Sequence, residues 1–311
     1  MRVLVTGASG LLGVNLALEA AKEHTVFGLV NREHLKTDAF SVIQGDLLAP
    51  GAVEKLLDSI HPDWVIHCAA LANVDACEAD PDQATQINTE LPKKLASHVA
   101  RSGARLLHVS TDAVFDGRTG NYSESDAPNP LGVYARTKLA GEHLVAEADP
   151  DAIIARVNLF GWSISGQRSL AEFFYNNLRA GNTVNGFIDV YFCPLLANHL
   201  AQIMLKMLYA GLSGLYHVVS SDCTSKYDFG IQIARRFSFN ESLINSTSVS
   251  FANLSATRSP NLTLDSGRLA LALNFTPPEI SAGVDQFYAL YQQGYPDSLR
   301  QMSVHVSRNA T

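Results

Sequence analysis

The sequence predicts an α/β protein, with a doubly wound parallel sheet in its first half and a smaller mixed α/β region after it. Three observations carry this. Short apolar runs alternate with helix-like segments over residues 2–157. The runs are continuous in hydrophobicity, as strands buried on both faces of a sheet require. A glycine-rich turn, Thr6-Gly7-Ala8-Ser9-Gly10-Leu11-Leu12-Gly13, joins the first run to the first helix. Strands separated by helices imply right-handed crossovers and parallel pairing.

Taken in order, residues 2–6, 25–30 and 41–45 read as strands, with helices at 12–23 and 53–60. A fourth strand spans 64–69, a single long helix 82–102 and a fifth strand 104–110; a helix at 133–148 precedes a sixth strand at 152–157. Beyond about Gly161 the alternation breaks down. Helical periodicity at 169–180, 199–209, 226–237 and 280–293 mixes with short extended pieces such as 215–219, and polar stretches such as 240–263 lie between.

Composition narrows the function. The 311 residues are 47% hydrophobic and 17% charged, as in an ordinary globular enzyme. A net charge of −7 argues against a nucleic-acid partner, which needs a basic face. No apolar run approaches the roughly 20 residues of a membrane helix. The opening MRVLVTGASG lacks the pattern of a signal peptide, so a cytoplasmic protein is expected. Cys68, Cys77, Cys193 and Cys223 are scattered without a C-x-x-C pair, which indicates neither a zinc site nor a disulfide framework. No metal is expected.

The glycine turn carries the first piece of chemistry. A pyrophosphate needs backbone N–H groups and a helix N-terminus at close range, which side-chain-free positions permit. Gly7 makes the tight turn, Gly10 lets phosphates approach and Gly13 lets the helix pack closely, with Ser9, Leu11 and Leu12 supplying the backbone between them. The spacing is a variant of the dinucleotide fingerprint. Residues 1–160 are therefore expected to form a dinucleotide-binding Rossmann domain. Residues 161–311 are expected mainly as a substrate-binding domain, with some segments returning to the first. After the second strand come Asn31 and Arg32 instead of an immediate acidic residue. An Arg there suits the 2′-phosphate of NADP, so NADP(H) is favoured, with NAD(H) the alternative.

Two further motifs supply reactive hydroxyls. Tyr134 and Lys138 are spaced i, i+4 and so share one face of a helix. A neighbouring ammonium is expected to lower the phenol pKa, making Tyr134 a proton donor to a carbonyl oxygen. Ser110-Thr111-Asp112-Ala113 leaves the carboxyl end of the fifth strand, where ligands of open α/β sheets bind, and Thr111 could hold the substrate oxygen against Tyr134.

Together these segments resemble the extended short-chain dehydrogenase/reductase family, and within it the dTDP-4-dehydrorhamnose reductase branch. The resemblance rests on TGASGLLG (6–13), Gly45-Asp46, HCAALANVDACEADP (67–81), INTELPKKLA (87–96), STDAVFDG (110–117), YARTKLAGE (134–142) and RSPNLTLD (258–265). It implies that Thr111, Tyr134 and Lys138 are the catalytic trio, with Lys138 also on the nicotinamide ribose. Asp46, with Leu47 beside it, would contact the adenine, and Ala69, Ala70 and Leu71 would pass along the cofactor. Asn88 matches a structural or proton-relay position. Asp112, Ala113, Asn158 and Arg258 would face the substrate, Arg258 near its phosphates. Ala113 stands where the branch usually has a tyrosine.

The resemblance implies an NAD(P)H-dependent reductase of a 4-keto group on a nucleotide-activated deoxysugar, often a homodimer. Two other readings remain. One is an epimerase or dehydratase on the same scaffold, which usually has acidic residues beside the catalytic hydroxyl where this chain has Asp112-Ala113. The other is a regulatory subunit that binds NADP without turning over substrate, since fold alone does not settle function.

Overall fold

The computed structural model describes residues 1–251 and 259–304. Its centre is a seven-stranded, all-parallel sheet. The chain enters through β1 (Arg2–Thr6), α1 (Leu11–Ala20), β2 (Thr25–Val30) and β3 (Ser41–Gln44). It continues through α2 (Ala52–Ile60), β4 (Trp64–His67) and two short helices, α3 (Val74–Ala79) and α4 (Pro81–Thr85). Then come α5 (Leu91–Ser102), β5 (Arg105–Thr111), α6 (Val133–Ala148) and β6 (Ile153–Val157). The seventh strand, β7 (Gly214–Val218), comes from the second half of the chain and pairs with β6. The order across the sheet is β7-β6-β5-β4-β1-β2-β3, with the direction of winding reversing beside β1. β4 and β6 are buried along their whole length, which explains their uninterrupted apolar sequences.

The long helix expected over 82–102 is divided. Asn73 and Asp80 cap α3 and α4, each accepting a hydrogen bond from the backbone N–H three residues on. A π-turn (Gln86–Glu90) then separates α4 from α5. Pro92 has no N–H to offer the carbonyl four residues back, that of Asn88, so regular helical bonding lapses there. The freed Asn88 carbonyl lies against α6, where a Cβ on Gly141 would stand 2.2 Å from it.

The second half builds α7 (Leu170–Arg179), α8 (Ala197–Tyr209), α9 (Lys226–Arg236), α10 (Gly267–Leu273), α11 (Ile280–Gln292) and α12 (Tyr295–Gln301). α8 packs against α1 beneath the sheet. Trp162 stacks on Phe287 at 3.9 Å, and Phe160 meets Phe229 and Phe287 edge-on, so one apolar core runs from α1 into the C-terminal helices. The end of the described chain returns to the segment after β2. Lys36 N donates to the Met302 carbonyl and Val304 N to the His34 carbonyl.

The scattered cysteines do contain a pair: Cys193 and Cys223 form a disulfide. Thirty residues separate them in sequence, which hides the pairing. Two short strands, Tyr191–Phe192 and Thr224–Ser225, align antiparallel with Phe192 opposite Thr224, which brings Cys193, just after the first, beside Cys223, just before the second.

Behind β5 and β6 lies a buried ion pair. Arg156 Nη2 and Nε donate to Glu142 Oε2 and Oε1 at 2.7 and 3.0 Å, Ser110 Oγ donates to the same carboxylate, and the guanidinium sits 5.0 Å over the Phe115 ring. Removing one partner would leave a bare buried charge. Glu142→Ala is expected to cost about 3–5 kcal/mol in urea unfolding, whereas Glu142→Leu with Arg156→Met should recover most of it; equal losses in the two variants would contradict this.

Candidate active site

The sheet's carboxyl edge carries a groove of about 610 Å³ over the winding reversal. Its floor is the Gly7 turn. Gly7 adopts φ +68°, and a Cβ there would stand 2.8 Å from the backbone of Ala69, so the turn and the chain leaving β4 touch backbone to backbone. A Cβ on Gly13 would stand 2.1 Å from the Gly7 carbonyl oxygen, which fixes α1 against the turn. The cradle is therefore shaped for a group that approaches peptide N–H atoms closely, as a pyrophosphate does.

Gly7, Ser9, Gly10, Asn31, Arg32, Asp46, Leu47, Ala69, Ala70 and Leu71 all line the groove. Asp46 Oδ1 also accepts from Leu48 N at 3.0 Å, which closes the turn after β3. Leu11, Leu12 and Gly13 are not in the lining. The Leu12 side chain belongs to the core, and only the unpaired N–H groups of the first helical turn are left to face a ligand. Asn88 stands behind the wall. Its Oδ1 accepts from Leu71 N at 2.9 Å, and its Nδ2 donates to the Leu71 carbonyl at 3.1 Å and to Thr137 Oγ1 at 3.2 Å. Every polar atom of this buried side chain is thus engaged in fixing the 69–71 segment to α6.

Thr111 ends β5 at this edge and Tyr134 approaches it from α6, but Thr111, Tyr134 and Lys138 are not in the groove lining, where Tyr134 and Lys138 were expected as cofactor contacts. The Tyr134 phenol and the Thr111 hydroxyl lie close enough to act on each other. Ser110 points the other way, its hydroxyl given to Glu142. Contrary to the expectation that Lys138 lowers the phenol pKa, Tyr134 is pushed up to about 12. Burial is the main cause, the Asp112 carboxylate and Cys77 add to it, and the Thr111 hydroxyl opposes it. The i, i+4 spacing holds, but the Lys138 ammonium is turned inward. Nζ donates to the Val109 carbonyl at 2.7 Å and lies 3.4 Å from His108 Nε2. Burial draws Lys138 down to about 8, against the raising influence of Glu142.

Two histidines behind Lys138 were not singled out in the sequence. His67 and His108 stack at 5.4 Å, and His67 Nδ1 pairs with Thr6 Oγ1 at 2.7 Å. Burial drives both down, His67 to about 3, with Lys138 adding to the effect. Both are neutral at physiological pH. Their sequence signal is slight, a polar residue at the end of one apolar strand and another in the middle of its neighbour.

Asp112 and Ala113, expected to face the substrate, lie in a single 3₁₀ turn after β5. Asp112 is buried; it accepts from Thr111 Oγ1 at 3.1 Å and from Asn158 Nδ2, and burial raises it to about 6 despite those bonds. Asn158 is thus held to Asp112 through its amide. Arg258 lies outside the described residues. Among the described residues no cluster of His, Cys, Asp and Glu is arranged to hold a metal, and no helix is long and apolar enough to cross a membrane.

The family model described as the RmlD substrate binding domain matches residues 1–293. The probable low-salt glycan biosynthesis reductase Agl14 of Haloferax volcanii is 35% identical over 287 residues, 90% of this chain and 95% of that one. Mouse methionine adenosyltransferase 2 subunit beta is 31% identical over 277 residues, 86% of this chain and 81% of that one. Among solved structures, a dTDP-4-dehydrorhamnose reductase from Clostridium acetobutylicum superposes with a TM-score of 0.81 at 26% identity, covering 94% of this chain and all of that one.

Proposed function

We propose a reductase role for this chain, which belongs to the RmlD substrate binding domain family: NADPH-dependent reduction of a 4-keto group on a nucleotide-activated deoxysugar. The observation that carries this reading is the Thr111–Tyr134 hydroxyl pair at the carboxyl end of β5, on the same sheet edge as the glycine-floored groove. The relatives named as reductases of glycan or dehydrorhamnose metabolism support the substrate class.

When bound, NADPH supplies the hydride. The chain's own residues do the rest. The N–H groups of the Gly7 turn and of the first turn of α1 would hold the pyrophosphate, and Arg32 would bind the ribose 2′-phosphate. Thr111 orients the ketone oxygen, and Tyr134, protonated throughout the physiological range, delivers a proton to that oxygen. Lys138 contributes positive charge one helical turn away. Asp112, tied to Asn158, holds the turn that carries Ala113 at the substrate side.

Tyr134→Phe removes the proton donor without removing the groove. Turnover of 4-keto sugar nucleotides is expected to fall by about 10²–10⁴-fold, with NADPH affinity changed no more than a few-fold; undiminished turnover would take Tyr134 out of the mechanism. A second reading, a nucleotide-binding subunit of another enzyme, is favoured by the likeness to the mouse subunit beta. It predicts NADPH binding with no turnover of any 4-keto sugar nucleotide in the same assay.

Lys138 carries its charge below about 8 and loses it above. Because kcat/KM reports groups of the free enzyme, it is expected to be level through neutral pH and to fall, with the loss of one proton, as pH rises through that value. A level profile well into the alkaline range would mean the ammonium is not required. Arg32→Asp replaces a phosphate-binding cation by a ribose-binding carboxylate and is expected to shift preference from NADPH toward NADH. An unchanged ratio of the two affinities would reject the contact.

A further inference from the structure

A second cavity, of about 900 Å³, opens beside the dinucleotide groove. The two share Ser9, Arg32 and Arg168, so they adjoin, with both arginines at the junction. Three distant parts of the chain meet there: the segment after β2 with Arg32, the loop before α7 with Arg168, and α12 with Arg300. On a chain of net charge −7, this is a local concentration of guanidinium groups. Glu33 also lines the cavity, and Arg300 is paired with Asp297 at 2.5 Å. Among the described residues no carboxylate pairs with Arg32 or Arg168.

The loop that presents Arg168 is held rigidly. The fully buried carboxylate of Glu172 accepts from Ser163 N at 2.6 Å, Ser163 Oγ at 2.9 Å, Arg168 N at 2.8 Å and Ser169 N at 3.1 Å. Ser169 completes a capping box with Glu172. The Arg300 guanidinium lies against the same loop, since a Cβ on Gly166 would stand 3.5 Å from its Nη2. A backbone fixed this firmly, carrying an exposed and unpaired arginine over a cavity, is preorganised for an anion.

We propose that Arg168 and Arg32 are the two halves of a phosphate clamp, and that the junction of the two cavities seats a phosphate monoester, the ribose 2′-phosphate of NADP(H). This rests on the reading of the groove as a dinucleotide site. Guanidinium forks suit phosphate because they offer paired N–H donors in one plane, and two forks can engage different oxygens of one dianion. The 2′-hydroxyl of NAD offers neither charge. Arg168 is therefore a specificity-determining residue, acting from the second half of the chain on a choice otherwise made at the end of β2.

Calorimetric titration of the full chain with adenosine 2′,5′-bisphosphate, 5′-AMP and inorganic phosphate tests this without any substrate. The wild-type chain is expected to bind the bisphosphate more tightly than AMP. Arg168→Ala should weaken the bisphosphate by about 10- to 100-fold and leave AMP unchanged, which also reports an intact fold, while Arg168→Lys should lie between. The clamp is overturned if Arg168→Ala keeps the wild-type preference, or weakens both nucleotides equally. Inorganic phosphate binding as tightly as the bisphosphate, with the same dependence on Arg168, would overturn the assignment to the 2′-phosphate. If neither nucleotide binds the wild-type chain, the dinucleotide reading itself falls and the clamp with it.

Discussion

The contact on which the rest of this structure depends is between two stretches of backbone, the turn at Gly7 and the chain leaving β4 at Ala69. No side chain fits between them. Thr6 Oγ1 accepts from Ala69 N at 3.3 Å beside this contact, so the floor of the groove is bonded as well as packed. From there the order propagates outward. Asn88 grips Leu71 through both its amide atoms and reaches Thr137 on α6, while Thr89 Oγ1 donates to the Thr137 carbonyl at 2.7 Å. The helix that carries Tyr134 and Lys138 is thereby referenced to the glycine turn through four residues. A glycine turn and a helix built on separate supports would not keep ångström-level registration, and here they share one.

Electrostatics behind the groove follow from dryness. Lys138, His67 and His108 are packed together away from solvent, and the carboxylate that acts on Lys138, Glu142, is already committed to Arg156 and Ser110. With one ammonium and no free counter-charge, both imidazoles stay neutral, and the ammonium itself is less firmly protonated than lysine in water. His67 and His108 thus serve as neutral polar packing that tolerates a buried cation. The same burial keeps Tyr134 protonated.

Much of this was legible in the chain, and the limits of legibility have physical causes. The strand runs, the helix Val133–Ala148 and the glycine turn stand where periodicity and turn chemistry placed them, because a parallel sheet leaves a strong hydrophobic imprint. Helix 82–102 was misjudged as continuous because composition does not reveal that the Asn88 carbonyl is needed against Gly141, which Pro92 makes available. Cys193 and Cys223 were read as unrelated because a two-residue strand pair, invisible to pattern, aligns them. Arg168 carries no motif. Only the folding of the loop before α7 over the β1–β2 edge gives it a place beside Arg32. The surroundings of Asp112 are hardest to read, since a single turn, Asp112–Val114, meets neighbours such as Asn158 that are remote in sequence.

The state of Tyr134 shows how these constraints meet. Burial orients the phenol toward Thr111 but raises its pKa to about 12, and a phenol so reluctant to ionise is a weak acid for a developing alkoxide. The group able to strengthen it is Lys138, four residues on along α6, yet its ammonium is bonded to the Val109 carbonyl and rests by His108. Moving Nζ toward the phenol means exchanging that carbonyl for another acceptor, and a buried ammonium moves only to a place that hydrogen-bonds it equally well. On the reductase reading, the hydroxyl-rich ribose that the groove is shaped to receive is such an acceptor. Acid strength at Tyr134 would then be tied to occupancy of the groove, so that the proton is released readily only when the hydride is at hand.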